Sequence, residues 1–450
     1  MKKKRGSARR LTNVQLIALS FLVLIACGTV LLCLPWATRS GTPAAPGDAL
    51  FTATSAACVT GLAVQDTGLY WSAFGQAVIL LLIQIGGLGF ITIATFTLTV
   101  LRRRIGIRNR ERMVESINTA DNGSILALTR TIILGTGTVE LCGAALLAVR
   151  FVPRLGAGRG LWYAVFHAVS AFCNAGFDLM GPIDGPYASL TAYAADPLVT
   201  LTVMALILIG GLGFWVWDDL LRHFARPLRF RLQTKLVLAV TGALTVGGAA
   251  LFFLLEHGTR AGQPFGEQLL RALFDAVTPR TAGFSVTDAA ALSPGGKLLT
   301  ILFMFVGGSS GSTAGGIKTT TLAVLLLYTA AQLTGRREAG AFGRRFSPQV
   351  LPRAVAVAAG NLVLALLGGI VLTLLHPALP LADILLETFS AIGTVGISTG
   401  ITRSLGTAGR AVLVLLMYCG RIGSLSFSAA LHEQRTPPPV QDPTEQIVVG

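Results

Sequence analysis

Ile85-Gly86-Gly87-Leu88-Gly89-Phe90 closes one apolar stretch of this chain, and Ile209-Gly210-Gly211-Leu212-Gly213-Phe214 closes another with the same six letters. Degenerate versions, Val306-Gly307-Gly308-Ser309-Ser310-Gly311 and Cys419-Gly420-Arg421-Ile422-Gly423-Ser424, stand at the matching places of two more. Ahead of each lies a short knot around a glycine: Cys58-Val59-Thr60-Gly61-Leu62, Cys173-Asn174-Ala175-Gly176-Phe177, Arg280-Thr281-Ala282-Gly283-Phe284 and Gly393-Thr394-Val395-Gly396-Ile397. The knot glycines are 115, 107 and 113 residues apart, and the first glycine of the second motif follows the knot glycine by 25, 34, 24 and 24 residues. The polar insert Gly181–Pro197 accounts for the long second offset. A Ser-Ala pair opens six residues before the glycine at Ser55, Ser170 and Ser390, whereas the third copy has Thr278-Pro279. Four ordered matches on a near-constant period make this chain a fourfold internal repeat.

Composition sets the solvent of that repeat. The 450 residues are 52% hydrophobic and 13% charged, against roughly 25% charged in soluble domains, and the mean hydropathy is +0.68. A soluble enzyme is excluded on these figures. The 52 glycines follow no collagen period and lie largely in apolar runs, as close helix contact and broken helices in a membrane require. The net charge of +15 sits between hydrophobic stretches, which argues for loop charge and against nucleic acid. Six cysteines in apolar segments, without a CxxC pair, predict neither disulfides nor zinc.

Eight segments are long and apolar enough to cross a bilayer, at about 14–34, 74–100, 125–150, 198–220, 235–256, 297–328, 353–375 and 408–431. The first is read as an uncleaved span, being longer than a signal-peptide core. Of 36 Lys and Arg, 23 fall in the N-terminal tail, in 102–112, 222–235 and 336–353, and at Arg435. The positive-inside rule therefore puts both termini in the cytoplasm. Each outer connection holds a second apolar stretch too short to cross, at 50–60, 161–173, 267–279 and 381–393. Such stretches read as re-entrant half-helices. The expected fold is an all-α integral membrane protein with eight transmembrane spans: four pseudo-fourfold helix, re-entrant half-helix, helix repeats around a central ion pore. The expected division is a basic cytoplasmic tail (1–11), repeats at 12–112, 113–232, 233–345 and 346–432, and a C-terminal cytoplasmic tail (433–450).

Four such units bring four extended loops to one axis, where main-chain carbonyls can replace the hydration shell of a monovalent cation. Glycine allows the backbone angles and the close approach, and the partly negative C-terminal ends of the half-helices favour cations. The candidate filter residues are Cys58, Val59, Thr60, Gly61; Asn174, Ala175, Gly176; Thr281, Ala282, Gly283; and Thr394, Val395, Gly396. The fourth loop holds the first three letters of the TVGYG potassium filter. With FCNAGF ending at Phe177, PRTAGF ending at Phe284, and GGSSGSTAGGIKT from Gly307 to Thr319, the chain resembles the Trk/Ktr/HKT superfamily of potassium uptake proteins over nearly its whole length. Lacking two extra N-terminal spans, it resembles the Ktr-type membrane translocating subunit most. That resemblance implies potassium as the transported ion, a homodimer with one pore per chain, and a cytosolic RCK-type nucleotide-binding ring as regulator. It also implies a bacterial plasma membrane location. Where the family's first loop has Thr, this chain has Cys58, which puts discrimination between potassium and sodium in question.

Lys297 to Gln332 is too long for one crossing, and its glycine-rich, hydroxyl-rich middle is a poor helix. The helix is expected to unwind there, just below the filter, and the resemblance implies that the loop is the gate: Gly307, Gly308, Ser309, Ser310, Gly311, Ser312, Thr313, Gly315, Gly316 and Lys318. A Walker reading of Gly311–Thr319 fails, because Ile317 separates the last glycine from Lys318 and an apolar helix precedes it. Lys318 snorkels or tethers the loop. Arg421 occupies the place of Gly87, Gly211 and Gly308, where a charge costs ~2.5–3.5 kcal/mol unless it faces a polar cavity. It either donates to the gate loop or bonds between helices. Glu140 reads as an ion ligand or an internal pair, and His167 and Glu387 as hydrogen-bonding supports of the filter. Asp66, Asp178 and Asp288 follow three knots, as acids concentrating cations at the mouth or as ordinary loop acids.

The leading reading is potassium uptake through a channel-like pore, with no covalent chemistry and no organic cofactor in the chain. Sodium, as second ion or coupling ion, stays open. The alternative is an alternating-access carrier coupled to sodium or protons, which would show midplane acids and inverted repeats. These repeats all run the same way. An enzyme would need a convergent polar set, and the five histidines are scattered over different loops.

Overall fold

The computed structural model describes residues 13–89, 125–224, 226–336 and 338–423. Both expected cytoplasmic tails, the basic loop at 102–112 and the last parts of the second and eighth expected spans lie outside the described residues. Among the described residues the regular structure is helical apart from one small hairpin, Gly340–Ala341 paired with Arg344–Arg345.

Four triads of helices follow one another. The first is α1 (Asn13–Leu32), α2 (Pro46–Ala57) and α3 (Ala73–Leu88). The second is α4 (Ile125–Leu155), α5 (Ala157–Phe172) and the bent pair α6 (Pro197–Gly211) and α7 (Phe214–His223). Next come α8 (Leu232–Glu256), α9 (Phe265–Val277) and the interrupted pair α10 (Pro294–Phe305) and α11 (Thr319–Leu333). Last are α12 (Val350–Leu375), α13 (Leu381–Gly393) and α14 (Thr407–Ile422).

The opening helices α1, α4, α8 and α12 are long and apolar enough to span a bilayer, and under a third of each crossing stretch is buried. Their exposed Leu and Val side chains form the surface that hydrocarbon would wet. The short helices α2, α5, α9 and α13 are the opposite: the last two turns of α13, Glu387 through Gly393, are wholly buried. Pro46 at the first turn of α2, and Pro264 and Pro380 just before α9 and α13, start three of them. Asp48, Glu267 and Asp383 in those first turns suit the positive helix end. We call the face from which these helices enter the outer face.

The closing helices pack on the ends of the short ones through glycine. A Cβ on Gly86, Gly210 or Gly420 would strike the carbonyl oxygen of Ala57, Phe172 or Ile392. In the third triad α10 has already ended at Phe305, and Gly307 turns toward Gly315 of its own loop instead.

One expectation needs correction here. The fourth span, expected unbroken over 198–220, bends by 97° between α6 and α7. Gly213 takes φ +91°, and the Phe214 N–H donates to the Gly311 carbonyl at 2.9 Å instead of continuing the ladder of α6. Gly89 (φ +82°) and Gly423 (φ +90°) take the same conformation after α3 and α14. The third glycine of IGGLGF is thus a helix stop, whereas hydropathy reads straight through it.

Candidate functional site

Each knot leaves its short helix through the same two backbone states. The residue two before the glycine is left-handed, at Val59 (φ +57°), Asn174 (φ +58°), Thr281 (φ +68°) and Thr394 (φ +52°). The glycines follow at +90°, +68°, +78° and +96° for Gly61, Gly176, Gly283 and Gly396. Left-handed φ at β-branched Val59, Thr281 and Thr394 costs about 1–3 kcal/mol each and survives only where the surroundings impose it. What imposes it is the ring. A Cβ on Gly61 would stand 2.5 Å from the Ala175 oxygen, and one on Gly176 2.8 Å from the Ala282 oxygen. On Gly283 it would strike the Val395 oxygen, and on Gly396 the Thr60 oxygen. The order runs first, second, third, fourth and back to first, so the four loops close on one another. Val59, Thr60, Asn174, Ala175, Thr281, Ala282, Thr394 and Val395 are all buried in this ring. Cys58 caps α2, and its thiol belongs to the apolar cluster that includes Leu62, Val395 and Cys419.

A hydroxyl braces each loop. Ser55 Oγ and Ser390 Oγ accept the N–H of Gly61 and Gly396, both at 3.0 Å. Ser170 Oγ donates to Phe177 O at 2.7 Å, and Thr278 Oγ1 donates to Phe284 O. The third copy therefore keeps the brace with its register moved by one residue, Ala282 N–H donating to Thr278 O at 3.0 Å. Three residues before the hydroxyl stand Thr52, His167, Asp275 and Glu387. His167 Nδ1 faces Tyr163 O at 2.7 Å, so that nitrogen carries the proton and Nε2 accepts the Leu179 N–H at 3.4 Å. Asp275 accepts from Arg260 and from Thr287 Oγ1, and Glu387 accepts from the hydroxyls of Ser398 and Thr402. His167 and Glu387 thus hydrogen-bond the segments that follow the second and fourth knots. Asp275 escaped the sequence reading because of the one-residue shift, which a comparison aligned on Thr278 would have removed.

Outside the ring lies a cavity of about 430 Å³ whose lining includes all four glycines and Asp66, Asp178 and Asp288. The insert Gly181–Pro197, legible in sequence only as extra length, forms part of its wall. Asp66 accepts the N–H groups of Leu69 and Tyr187, at 2.8 and 2.7 Å. Ser285 ties the insert to the third loop through Ser189 Oγ (3.0 Å) and Leu190 N–H (2.9 Å). The Arg403 guanidinium lies 4.0 Å from the centre of the Tyr187 ring. Burial pushes the Asp178 carboxyl up to about 7, the charges of Asp66 and Asp184 adding to the shift while the Met180 N–H opposes it. Asp288 caps a turn through the Ala290 N–H.

Inside the ring, residues 306–318 form a strap. The strap doubles back, with Gly307 N–H on Ile317 O (2.8 Å) and Thr319 N–H on Gly308 O (3.0 Å). Hydroxyl pairs Ser309–Thr319 (3.2 Å) and Ser310–Thr320 (3.1 Å) stitch its two limbs, and Ser312 Oγ donates to Ser309 O at 2.7 Å. Gly315 and Gly316 press against Thr394 and Gly393, and Gly307 against the Thr281 methyl. Thr313 Oγ1 donates to Phe172 O (3.1 Å), and Ser309 N–H to Gly211 O (2.8 Å). Lys318 Nζ donates to Ala314 O at 2.7 Å, tethering the strap, and does not snorkel to an interface. Arg421 donates to Thr313 O on the strap and to Gly86 O and Gly87 O at the end of α3. Glu140 is held by Gln84 Nε2 at 3.3 Å, an internal pair. Among the described residues no group of three His, Cys, Asp or Glu is arranged to hold a metal ion.

A family model described as a cation transport protein, TrkH, matches residues 3–435. The chain is 39% identical over 455 residues to the potassium/sodium uptake protein NtpJ of Enterococcus hirae, covering 99% of each. It is 41% identical over 423 residues to the Ktr system potassium uptake protein B of Bacillus subtilis, covering 93% of this chain and 92% of that one. Its fold is that of the potassium transporter TrkH from Vibrio parahaemolyticus, with a TM-score of 0.73 at 18% identity, over 96% of this chain and 87% of the other.

Proposed function

The chain belongs to the TrkH family of cation transport proteins, multi-pass membrane transporters and not enzymes, and on that premise we propose that it takes up potassium through a channel-like pore. The closed ring of glycine against carbonyl supports this most directly. The main-chain oxygens of Thr60, Ala175, Ala282 and Val395, one from each loop of the ring, would offer an ion a cage of dipoles, and a fixed cage offsets dehydration without a formal charge. The filter is then Cys58–Gly61, Asn174–Gly176, Thr281–Gly283 and Thr394–Gly396, with one glycine per loop. The Cys58 thiol lies in an apolar cluster, so its replacement of Thr acts through packing behind the first loop.

The strap 306–318 is the gate. It sits against Thr281, Gly393 and Thr394, where it obstructs ions leaving the ring, and Arg421 and Lys318 hold it by its own carbonyls. The remaining proposals are four repeats at 12–112, 113–232, 233–345 and 346–432, both termini in the cytoplasm of a bacterial plasma membrane, a homodimer, and a cytosolic nucleotide-binding ring acting on the basic inner loops. Sodium is proposed as the second ion, because one relative is named for both cations.

Rubidium uptake into proteoliposomes of the purified chain, with sodium as competitor, tests this. Saturable uptake that sodium inhibits weakly is expected. Absence of uptake under an inward rubidium gradient, or equal preference for rubidium and sodium, would sink the filter assignment.

A further inference from the structure

Between α7 and α8 the chain combines features that the pore does not use. Leu221, Phe224 and Leu228 are 72%, 82% and 90% exposed. Arg222, Arg226, Arg229 and Arg231 alternate with them. Asp218 and Asp219, the acids of this segment, are already engaged, by Arg222 and by His223 with the Arg231 N–H. Three protruding apolar side chains among four guanidinium groups are poorly suited to water. They fit the border of a bilayer, where apolar groups enter the acyl region and arginines bind phosphate oxygens in pairs.

The bend sets the depth and direction. The 15 residues of α6 span ~22 Å, most of the ~30 Å hydrocarbon layer. The 97° turn then sends α7 sideways at the inner boundary. Its other end is fastened to the strap: Phe214 N–H donates to Gly311 O at 2.9 Å, and Ser309 N–H donates to Gly211 O at 2.8 Å just before the bend. Phe214, Val216 and Asp219 are buried along the helix, and Trp217 Nε1 donates to Ile209 O at 3.0 Å. The helix is therefore a stiff arm, arginines at one end and strap at the other.

We propose that α7, Phe224 and residues 226–231 form an inner-leaflet site for anionic phospholipid headgroups, and that headgroups bound there hold the strap against the ring. The second clause rests on the strap being the gate. A ligand favours the conformer it binds, and here the arm is bonded to a strap in place. Anionic lipid accordingly lowers basal flux. Each arginine at an anionic surface changes headgroup occupancy about fivefold, the equivalent of about 1 kcal/mol.

The test uses the purified full-length chain in phosphatidylcholine vesicles containing no phosphatidylglycerol or about a third of it, a fraction that makes the surface strongly negative. Native mass spectrometry reads retained phosphatidylglycerol, and rubidium uptake reads flux. Wild type and the control R336Q/R353Q should retain the lipid and lose flux several-fold as its fraction rises. R222Q/R226Q/R229Q should retain less and respond less. Equal lipid retention by that triple variant overturns the site; lost retention with an unchanged flux response overturns the coupling. Arg421→Ala separates the premise, since it should raise flux in both vesicles if the strap is the gate. If it does not, the gate reading fails, while lipid retention still decides the headgroup site.

Discussion

Gly61→Ala tests the ring at a position where the demand can be measured. Its Cβ would stand 2.5 Å from Ala175 O, 3.2 Å from Gly176 Cα and 3.3 Å from Ala175 C. Side-chain carbons essentially never come within 3.0 Å of such atoms, so the first or second loop must yield by about 0.5 Å. Gly61 also has φ +90°, where a residue with a Cβ is strained by about 1–3 kcal/mol. If the loops relieve that strain by moving the Ala175 carbonyl, discrimination between rubidium and sodium changes by roughly five- to 150-fold. Gly176→Ala, whose Cβ would stand 2.8 Å from both Ala282 O and Gly283 Cα, should change selectivity as well. Gly396→Ser, driven into Thr60 O, should cost more. The assay is rubidium uptake against graded sodium in proteoliposomes, for variants that elute as the wild type does. Wild-type selectivity in Gly61→Ala would remove these glycines from the ion path.

Arg421→Ala removes donors to Thr313 O, Gly86 O and Gly87 O; with about 1.5–3 kcal/mol for a charged hydrogen bond, unregulated rubidium flux should rise by one to two orders of magnitude, and unchanged flux counts against the latch. Asp178, with its carboxyl pushed up to about 7, is neutral below that pH and charged above it. Uptake at low rubidium should therefore fall as external pH drops from about 8 to about 6, and Asp178→Asn should be pH-insensitive at the lower rate; a retained pH profile in Asp178→Asn refutes the assignment. Glu387→Ala strands the Ser398 and Thr402 hydroxyls, so the thermal midpoint should drop by the equivalent of about 1–3 kcal/mol, as read by a melting curve in detergent.

The fourfold plan was legible because its period is written in glycines, and glycines are where side chains are forbidden. The half-helices expected at 50–60, 161–173, 267–279 and 381–393 are found at Pro46–Ala57, Ala157–Phe172, Phe265–Val277 and Leu381–Gly393. Their starts were missed by up to four residues, since Pro46 and Gly156 begin helices inside polar stretches that hydropathy ignores. The unwinding at Gly307–Gly316 was visible in propensity. The break at Gly213 was not, because Ile209–Trp217 is apolar throughout and the cause is a carbonyl on a distant segment, Gly311 O. Arg421 stood out by its place in the repeat, but its acceptors on α3 and the strap come from tertiary structure. Asp275 and Thr278 were hidden by a one-residue shift that the eye takes for a broken pattern.

The ring closes when Gly396 meets Thr60, so the last quarter of the polypeptide completes a contact begun by the first. During synthesis the first three loops keep an open seam until α13 and the fourth loop are made. Premature termination anywhere before residue 396 should thus leave no partial pore, and quality-control proteases in the membrane would meet an all-or-nothing substrate.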